Sequence, residues 1–281
     1  MKKGISIWSF QKDSLAESFE LAKKAGFDGV EVALAEDGEV NLNTTEKELL
    51  AIKKQAENAG IELYSVASGL YWDYSITDND ASKRAKAESN VKKQLETAKI
   101  LGCDTILVVP GAVRVEFAPV LGIVDYETVY NRSLEAFTRL KEDAEKLQVS
   151  IGLENVWNRF LTSPVEMKEF IDKIGSDYVG SYFDVGNVLF NGEPEHWIKT
   201  LGKRIKKVHF KDYRKNVGTL DGFVDLLAGD VNYPEVMKAF KEVGYDGWVT
   251  GEMIPSYRFY PDTLIYNTSR AMDAIINGEV K

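Results

Sequence analysis

The chain has too little cysteine for the disulfide bonds that stabilise small secreted proteins. Its 281 residues include one cysteine, Cys103, so an intrachain disulfide is impossible. Cys103 lies in the apolar stretch Gly102–Val109, which predicts a buried, unreactive thiol rather than a nucleophile. The apolar run that follows Met1 is cut short at Gln11, which is typical of a first strand and not of a signal peptide. Nothing points to an oxidising compartment, so we expect a cytoplasmic protein.

Basic charge and long apolar runs are also scarce. The formal net charge is −9, and no five like charges occur in a row. A protein that binds nucleic acid needs a concentrated basic surface, so we expect no nucleic-acid partner. No apolar stretch approaches the roughly 20 residues of a membrane-spanning helix, and no membrane interaction is predicted.

Short β-rich runs alternate with longer helical patterns along the whole chain. Leu15, Phe19 and Ala22, for example, share one helical face. Strands that alternate with helices imply a parallel sheet with right-handed crossovers. Eight such units without a linker favour an α/β fold, a single-domain (β/α)8 TIM barrel over residues 1–281, which typically needs about 250 residues. The eight predicted strands are Gly4–Trp8, Gly29–Ala33, Glu62–Ala67, Thr105–Val109, Val149–Glu154, Val179–Asp184, Lys206–Phe210 and Trp248–Glu252.

A local repeat marks four of the joints between a helix and the next strand. Each copy of the repeat places a glycine after the helix and before a short turn. A glycine is suited to this position because the C-cap of a helix often adopts the left-handed conformation. The four glycines are Gly26, Gly60, Gly102 and Gly244. No Gly-x-Gly-x-x-Gly motif opens a helix, which argues against a dinucleotide site.

The last four predicted strands end in side chains that can bind a metal: Glu154, Asp184, His209 and Glu252. Active sites of β/α barrels lie at the C-terminal ends of the strands, so these groups should converge. One such carboxylate alone is often only a helix cap, and one histidine is often a core residue. Three buried carboxylates together would repel one another unless a cation neutralised them. The set therefore predicts a divalent-metal site, with Mn²⁺ preferred and Mg²⁺ or Co²⁺ tolerated.

These motifs make the chain similar to a known family. Leu153–Asn155, Phe183–Asn187, Val208–Asp212 and Gly251–Met253 resemble the xylose isomerase-like barrel superfamily, over nearly the whole chain. More narrowly, they resemble its sugar and sugar-phosphate isomerase/epimerase branch, including ketose 3-epimerases and L-xylulose or L-ribulose 5-phosphate 3-epimerases. The resemblance implies a metal-dependent 3-epimerisation of a ketose or ketose phosphate.

The same resemblance implies roles for individual residues. Glu154 and Glu252 would be both metal ligands and the catalytic acid/base pair on the two faces of C3. Asn187 would contact the substrate, at a place where free-sugar 3-epimerases usually have histidine and phosphopentulose epimerases have asparagine. Leu161 departs from the glutamate of the free-sugar enzymes, whereas Ser68–Trp72 lacks the basic residues of the phosphopentulose enzymes. The phosphorylation state of the substrate therefore stays open.

Further substrate contacts are predicted from residue type. Trp8, Trp72 and Trp157 lie near strand ends and are candidates for lining a sugar pocket, with core or lid packing as the alternative. Arg214 matches the approximate place of a substrate-contacting arginine in the family, with a solvated loop charge as the alternative. The other basic candidates for an anionic substrate are Lys211, Lys215, Arg159 and Arg258.

The segment Gly111–Asp125 is long and unusually apolar, which predicts a lid or a subunit contact. We favour a subunit contact and thus a homo-oligomer, a dimer or tetramer.

Other reactions use the same ligands. An aldose–ketose isomerase, an inosose dehydratase-like lyase and a C-glycoside-cleaving enzyme all abstract a proton beside a metal-bound carbonyl. A DNA-repair endonuclease of this barrel type would need a histidine-rich trinuclear zinc site, which a chain with two histidines does not supply. A non-catalytic sugar-binding barrel is disfavoured by the intact ligand set.

Overall fold

The computed structural model describes residues 1–278, in which eight parallel strands close a barrel. The strands are β1 (Lys2–Ser6), β2 (Gly29–Leu34), β3 (Glu62–Ser68), β4 (Thr105–Val108), β5 (Ser150–Glu154), β6 (Val179–Asp184), β7 (Ile205–Phe210), β8 (Asp212–Tyr213), β9 (Phe223–Val224) and β10 (Trp248–Gly251). Around the barrel eight of them follow the order β1, β10, β7, β6, β5, β4, β3, β2. The two short strands β8 and β9 form an antiparallel hairpin after β7.

Eight α-helices connect the barrel strands and follow the last one, within the described residues. They are α1 (Leu15–Ala25), α2 (Glu46–Ala59), α3 (Ala81–Leu101), α4 (Tyr126–Leu147), α5 (Pro164–Ile174), α6 (Pro194–Leu201), α7 (Tyr233–Val243) and α8 (Pro261–Asn277). Their apolar faces pack against the strands in one continuous core. The (β/α)8 prediction is confirmed. None of the helices in residues 1–278 combines the length and hydropathy that crossing a membrane requires.

The predicted glycine joints are confirmed. Gly26, Gly60, Gly102 and Gly244 all adopt the left-handed conformation at helix C-caps, with φ between 72° and 89°. The next residue then enters the turn that leads to the following strand. This local chemistry sets where four of the strands begin, and hence where their opposite ends reach the active-site face.

The first strand and the hairpin differ from the prediction. β1 begins at Lys2 rather than Gly4, because Lys2 and Lys3 pair with Trp248 and Val249. Trp8 lies beyond the strand, in a 3-10 turn closed by the hydrogen bond from Phe10 N to Ile7 O. The β8–β9 hairpin was not predicted, because strands of two residues are too short to show an alternating pattern.

Candidate active site

Four side chains from neighbouring strands meet at the C-terminal end of the barrel. Glu154 and Asp184 are the last residues of β5 and β6, His209 is the next-to-last residue of β7, and Glu252 directly follows β10. All four are buried, and one ligand atom from each lies within 4.8 Å of the others. The structure therefore brings together the four residues that the sequence predicted as metal ligands.

His209 presents its Nδ1 atom to the three carboxylates. Nδ1 lies 3.3 Å from Glu252 Oε2, 3.7 Å from Glu154 Oε1 and 3.9 Å from Asp184 Oδ2. The backbone of Glu252 is held beside β7, because its N–H donates to Phe210 O. Nδ1 is thus the imidazole atom available to a metal ion.

Two buried atoms of this cluster make no hydrogen bond within residues 1–278 and are suited to a bound cation. His209 Nδ1 and Asp184 Oδ2 are buried without a hydrogen bond in the described part of the chain. Burial raises the pKa of Glu154 to about 7 and also raises the pKa of Asp184, so negative charge is poorly solvated here. Three oxygen donors and one imidazole suit a hard or borderline divalent ion.

Lys211 is the cation nearest to this cluster. Its Nζ lies 3.2 Å from Asp184 Oδ2 and also contacts Glu252 Oε2. Burial works against the charge of Lys211, but Asp184 and Glu252 outweigh this effect and raise its pKa. Burial likewise acts to raise the pKa of Glu252, whereas Lys211 and His209 lower it well below the usual range. Lys211 was a candidate for binding an anionic substrate, yet its ammonium group is paired with the acidic cluster.

Glu31 on β2 is a site residue that the sequence analysis missed. Its Oε1 lies 2.9 Å from His209 Nε2, and its Oε2 accepts hydrogen bonds from Ser65 and Tyr182. Burial and the neighbouring Glu31 raise the pKa of Tyr182 well above its usual value, so this hydroxyl remains a donor. A carboxylate that holds one imidazole nitrogen directs the other toward a metal. The available signal was a glutamate inside the otherwise apolar run Gly29–Leu34.

A network of amides orients Asp184. The Asn155 side chain accepts from Asp184 N at 2.9 Å and donates to Asp184 O at 2.8 Å. Asn187 N donates to Asp184 Oδ1 at 2.8 Å, and the Asn187 side chain donates to Asn155 O at 3.0 Å. These bonds leave Asp184 Oδ2 as the oxygen that faces the cluster.

A cavity of about 840 Å³ opens above the cluster. The two glutamates line it, whereas Asp184 and His209 do not. Its lining consists of Trp8, Ser68, Gly69, Trp72, Leu107, Val109, Phe117, Glu154, Val156, Trp157, Asn187, Lys211, Leu220, Asp221, Phe223, Glu252, Ile254 and Pro255.

The structure brings four of the five predicted substrate-contacting residues to this cavity. Trp8, Trp72, Trp157 and Asn187 all line it, and Trp157 Nε1 donates to Asn187 O at 3.1 Å. Arg214 lies instead on the exposed hairpin loop, where its Nε donates to Ala228 O.

Three other basic candidates also lie away from the cavity lining. Arg159 pairs with Glu116 at 2.6 Å, and Lys215 pairs with Glu193 at 2.8 Å. Arg258 is exposed and lies over the ring of Phe259. Their exposed positions leave Lys211 as the one basic candidate in the described lining.

The apolar segment Gly111–Asp125 folds partly over the cavity. Val115, Ala118 and Leu121 are buried in a small cluster against Trp72. Phe117 contacts the Trp72 ring edge-on, with ring centroids 4.9 Å apart, and lines the cavity. This side of the cavity is therefore built by a loop and not by the barrel strands.

Two known proteins are similar to this chain in sequence. A putative L-ribulose-5-phosphate 3-epimerase of Escherichia coli is 26% identical, over 89% of this chain and 87% of its own. An inosose dehydratase of Lacticaseibacillus casei is 26% identical, but over only 36% of this chain and 41% of its own.

Solved structures agree in fold. A D-psicose 3-epimerase of Clostridium cellulolyticum with D-tagatose superposes with a TM-score of 0.80, at 17% identity and full coverage of both chains. The IOLI protein with a bound zinc atom superposes with a TM-score of 0.81, at 19% identity over 99% of both chains. The family model of the xylose isomerase-like TIM barrel matches residues 19–273. The chain therefore belongs to the xylose isomerase-like TIM barrel family, as its motifs predicted.

Proposed function

We propose that the protein is a divalent-metal-dependent carbohydrate isomerase/epimerase that inverts the carbon next to a ketone, with 3-epimerisation of a ketose as its reaction. Glu154, Asp184, His209 and Glu252 would hold the ion, and Glu154 and Glu252 would also transfer protons. Membership of the family and the E. coli relative named as a putative 3-epimerase support this class of reaction.

The proposal rests on a difference among the four candidate ligands in their access to the cavity. Glu154 and Glu252 line the cavity, whereas Asp184 and His209 are fully buried. The strands that lead to the two glutamates are separated by β6 and β7 in the barrel order. The two carboxylates therefore approach the cavity from different sides, as inversion at one carbon requires.

The chemistry follows from this arrangement. A divalent ion supplies charge stabilisation at the carbonyl oxygen and so makes the neighbouring C–H bond more acidic. One glutamate removes the proton from that carbon, and the other returns a proton to the opposite face. Asp184, oriented by Asn155 and Asn187, and His209, oriented by Glu31, serve as anchors that do not reach the substrate.

Mn²⁺ is our choice of ion, with Mg²⁺ or Co²⁺ as substitutes, because oxygen donors dominate the set. The zinc atom of the IOLI protein supports a divalent ion in general. A cytoplasmic homo-oligomer, a dimer or tetramer, stays a prediction from the sequence.

Solvent exchange tests the reaction directly. A panel of ketoses and ketose phosphates is incubated with the Mn²⁺-loaded protein in D₂O, and deuterium at the carbon next to the carbonyl is measured by NMR. We expect exchange with at least one ketose, and its absence throughout the panel would contradict the proposal. Glu154→Gln and Glu252→Gln should each abolish epimerisation, whereas Glu142→Gln, on the exposed surface of α4, should leave it unchanged.

A lyase is the second candidate. The partial match to inosose dehydratase supports it, and a dehydratase would use the same proton abstraction beside a carbonyl. Dehydration produces a conjugated product that absorbs in the ultraviolet, whereas epimerisation or aldose–ketose isomerisation leaves the elemental composition unchanged. Mass spectrometry of the products therefore separates dehydration from epimerisation and isomerisation.

A further inference from the structure

The cavity is large and its lining is mostly apolar. Its volume of about 840 Å³ lies near the upper end of the roughly 300–1,000 Å³ that hold drug-sized ligands. Glu154 and Glu252 reach the cavity from different strands but meet at the ligand cluster, where one oxygen of each lies within 4.8 Å of the other. Most of the remaining wall is aromatic or aliphatic, and includes Trp72, Phe117, Trp157 and Phe223.

Four of the five aromatic residues in the lining form two pairs. Phe117 meets Trp72 edge-on at a centroid distance of 4.9 Å. Trp157 packs against Phe223 at 5.5 Å, and Trp157 is held by its hydrogen bond to Asn187 O. Phe117 and Ile254 remain 44% and 48% exposed, so an apolar ligand group that covered them would remove apolar surface from water.

The charge of the lining opposes an anionic group. Lys211 is the one lysine or arginine that lines the cavity within the described residues. Asp221 adds a further carboxylate to the wall. Beyond the metal site and Lys211, the described lining offers no cation to compensate the hydration that a phosphate dianion would lose in this cavity.

We propose that the substrate is an uncharged keto sugar that carries an apolar, aromatic substituent. The sugar lies at the glutamate end, and the substituent lies between the Trp72–Phe117 pair and the Trp157–Phe223 pair. This inference rests on the proposed function, because the keto sugar is the part on which Glu154 and Glu252 act. It adds the substrate class, which the ligand set leaves open.

A matched substrate series tests this directly. D-Fructose and D-tagatose are each prepared with a benzyl group, a methyl group or a phosphate on O6, the terminal oxygen farther from the ketone. The reacting carbons are then the same in all compounds of one sugar. Deuterium exchange by the Mn²⁺-loaded protein gives kcat/KM for each compound. We expect the benzyl ether to exceed the methyl ether by about tenfold or more, and the phosphate to fall below the methyl ether. Equal rates for benzyl and methyl ethers, or a preference for the phosphate, would overturn the proposal.

Variants locate the effect within the cavity. Phe117→Ala should reduce the benzyl-to-methyl ratio severalfold, because it removes one wall of the aromatic group. Val120→Ala is the matched control, since Val120 lies in the same segment, is 59% exposed and does not line the cavity. An unchanged ratio in Phe117→Ala would contradict the proposed position of the substituent.

A binding measurement tests this inference independently of the proposed reaction. If none of the compounds exchanges deuterium, the epimerase proposal fails, but the cavity can still be tested through quenching of its tryptophan fluorescence. A dissociation constant about tenfold lower for the benzyl ether than for the methyl ether would support the substrate class. Equal dissociation constants would reject it.

Discussion

Glu31 Oε1 accepts a hydrogen bond from His209 Nε2 at 2.9 Å, although the two residues are 178 positions apart in the chain. Both side chains are fully buried. The bond fixes the imidazole so that Nδ1 faces the three carboxylates, and it adds negative charge behind the ring. Burial alone lowers the pKa of His209, but Glu31 and Glu252 more than offset it and raise that pKa well above its usual value.

We expect Glu31→Gln to weaken Mn²⁺ binding by about tenfold or more, because such outer carboxylates typically contribute about 10–100-fold in affinity. Titration calorimetry with Mn²⁺ measures the dissociation constant. Glu62→Gln is the control, since Glu62 begins the adjacent strand β3 and pairs with Lys2 at the surface. Equal affinities for Glu31→Gln and the unmodified protein would show that Glu31 does not tune the site.

Metal binding should stabilise the fold. An ion that binds only the folded state contributes about 2.7 kcal/mol at a concentration of 100 Kd. For a chain of this size, we expect the Tm after chelator treatment to rise by roughly 5–10 °C when Mn²⁺ is added back. Asp184→Asn should lose most of this increase, and an equal increase in that variant would argue against Asp184 as a ligand.

Gly29 is required by the close approach of β2 to β3. A Cβ atom there would lie 2.5 Å from Glu62 O and 2.7 Å from the Trp248 ring. We expect Gly29→Ala to lower the free energy of unfolding by about 1–3 kcal/mol through overpacking. Gly69 is the matched control, because a Cβ atom there meets nothing within 4 Å and its φ is −86°. Urea unfolding measures both variants, and equal midpoints would contradict the steric argument.

Cys103 should be unreactive in the folded protein. The thiol is buried, and this burial raises its pKa far above the usual value, so little thiolate forms. A thiol-specific chromogenic reagent should react with Cys103 only after denaturant is added. Val120→Cys provides an exposed thiol for comparison and should react at once. Rapid labelling of Cys103 without denaturant would show that the surrounding core opens readily.

Much of the fold is predictable because its signals are local. A glycine such as Gly26 ends a helix through its own backbone conformation, and an apolar run predicts a strand from consecutive residues. The four candidate ligands, including Asp184 and His209, were found because each stands at a strand end, where a parallel barrel must gather its functional groups. The β8–β9 hairpin was not predicted because its strands are too short to show a pattern, and several strand ends, such as both ends of β1, differ from the prediction by one or two residues.

The sequence by itself therefore determined the barrel and the identity of the four converging side chains. Tertiary structure alone decided that Glu31 supports His209, that Lys211 is paired with the acidic cluster, and that Arg214 lies outside the cavity. The same holds for the apolar cavity wall, which combines loops from distant parts of the chain. The physical reason is that hydrogen bonds, ion pairs and burial depend on distances across the barrel, and sequence spacing does not encode those distances.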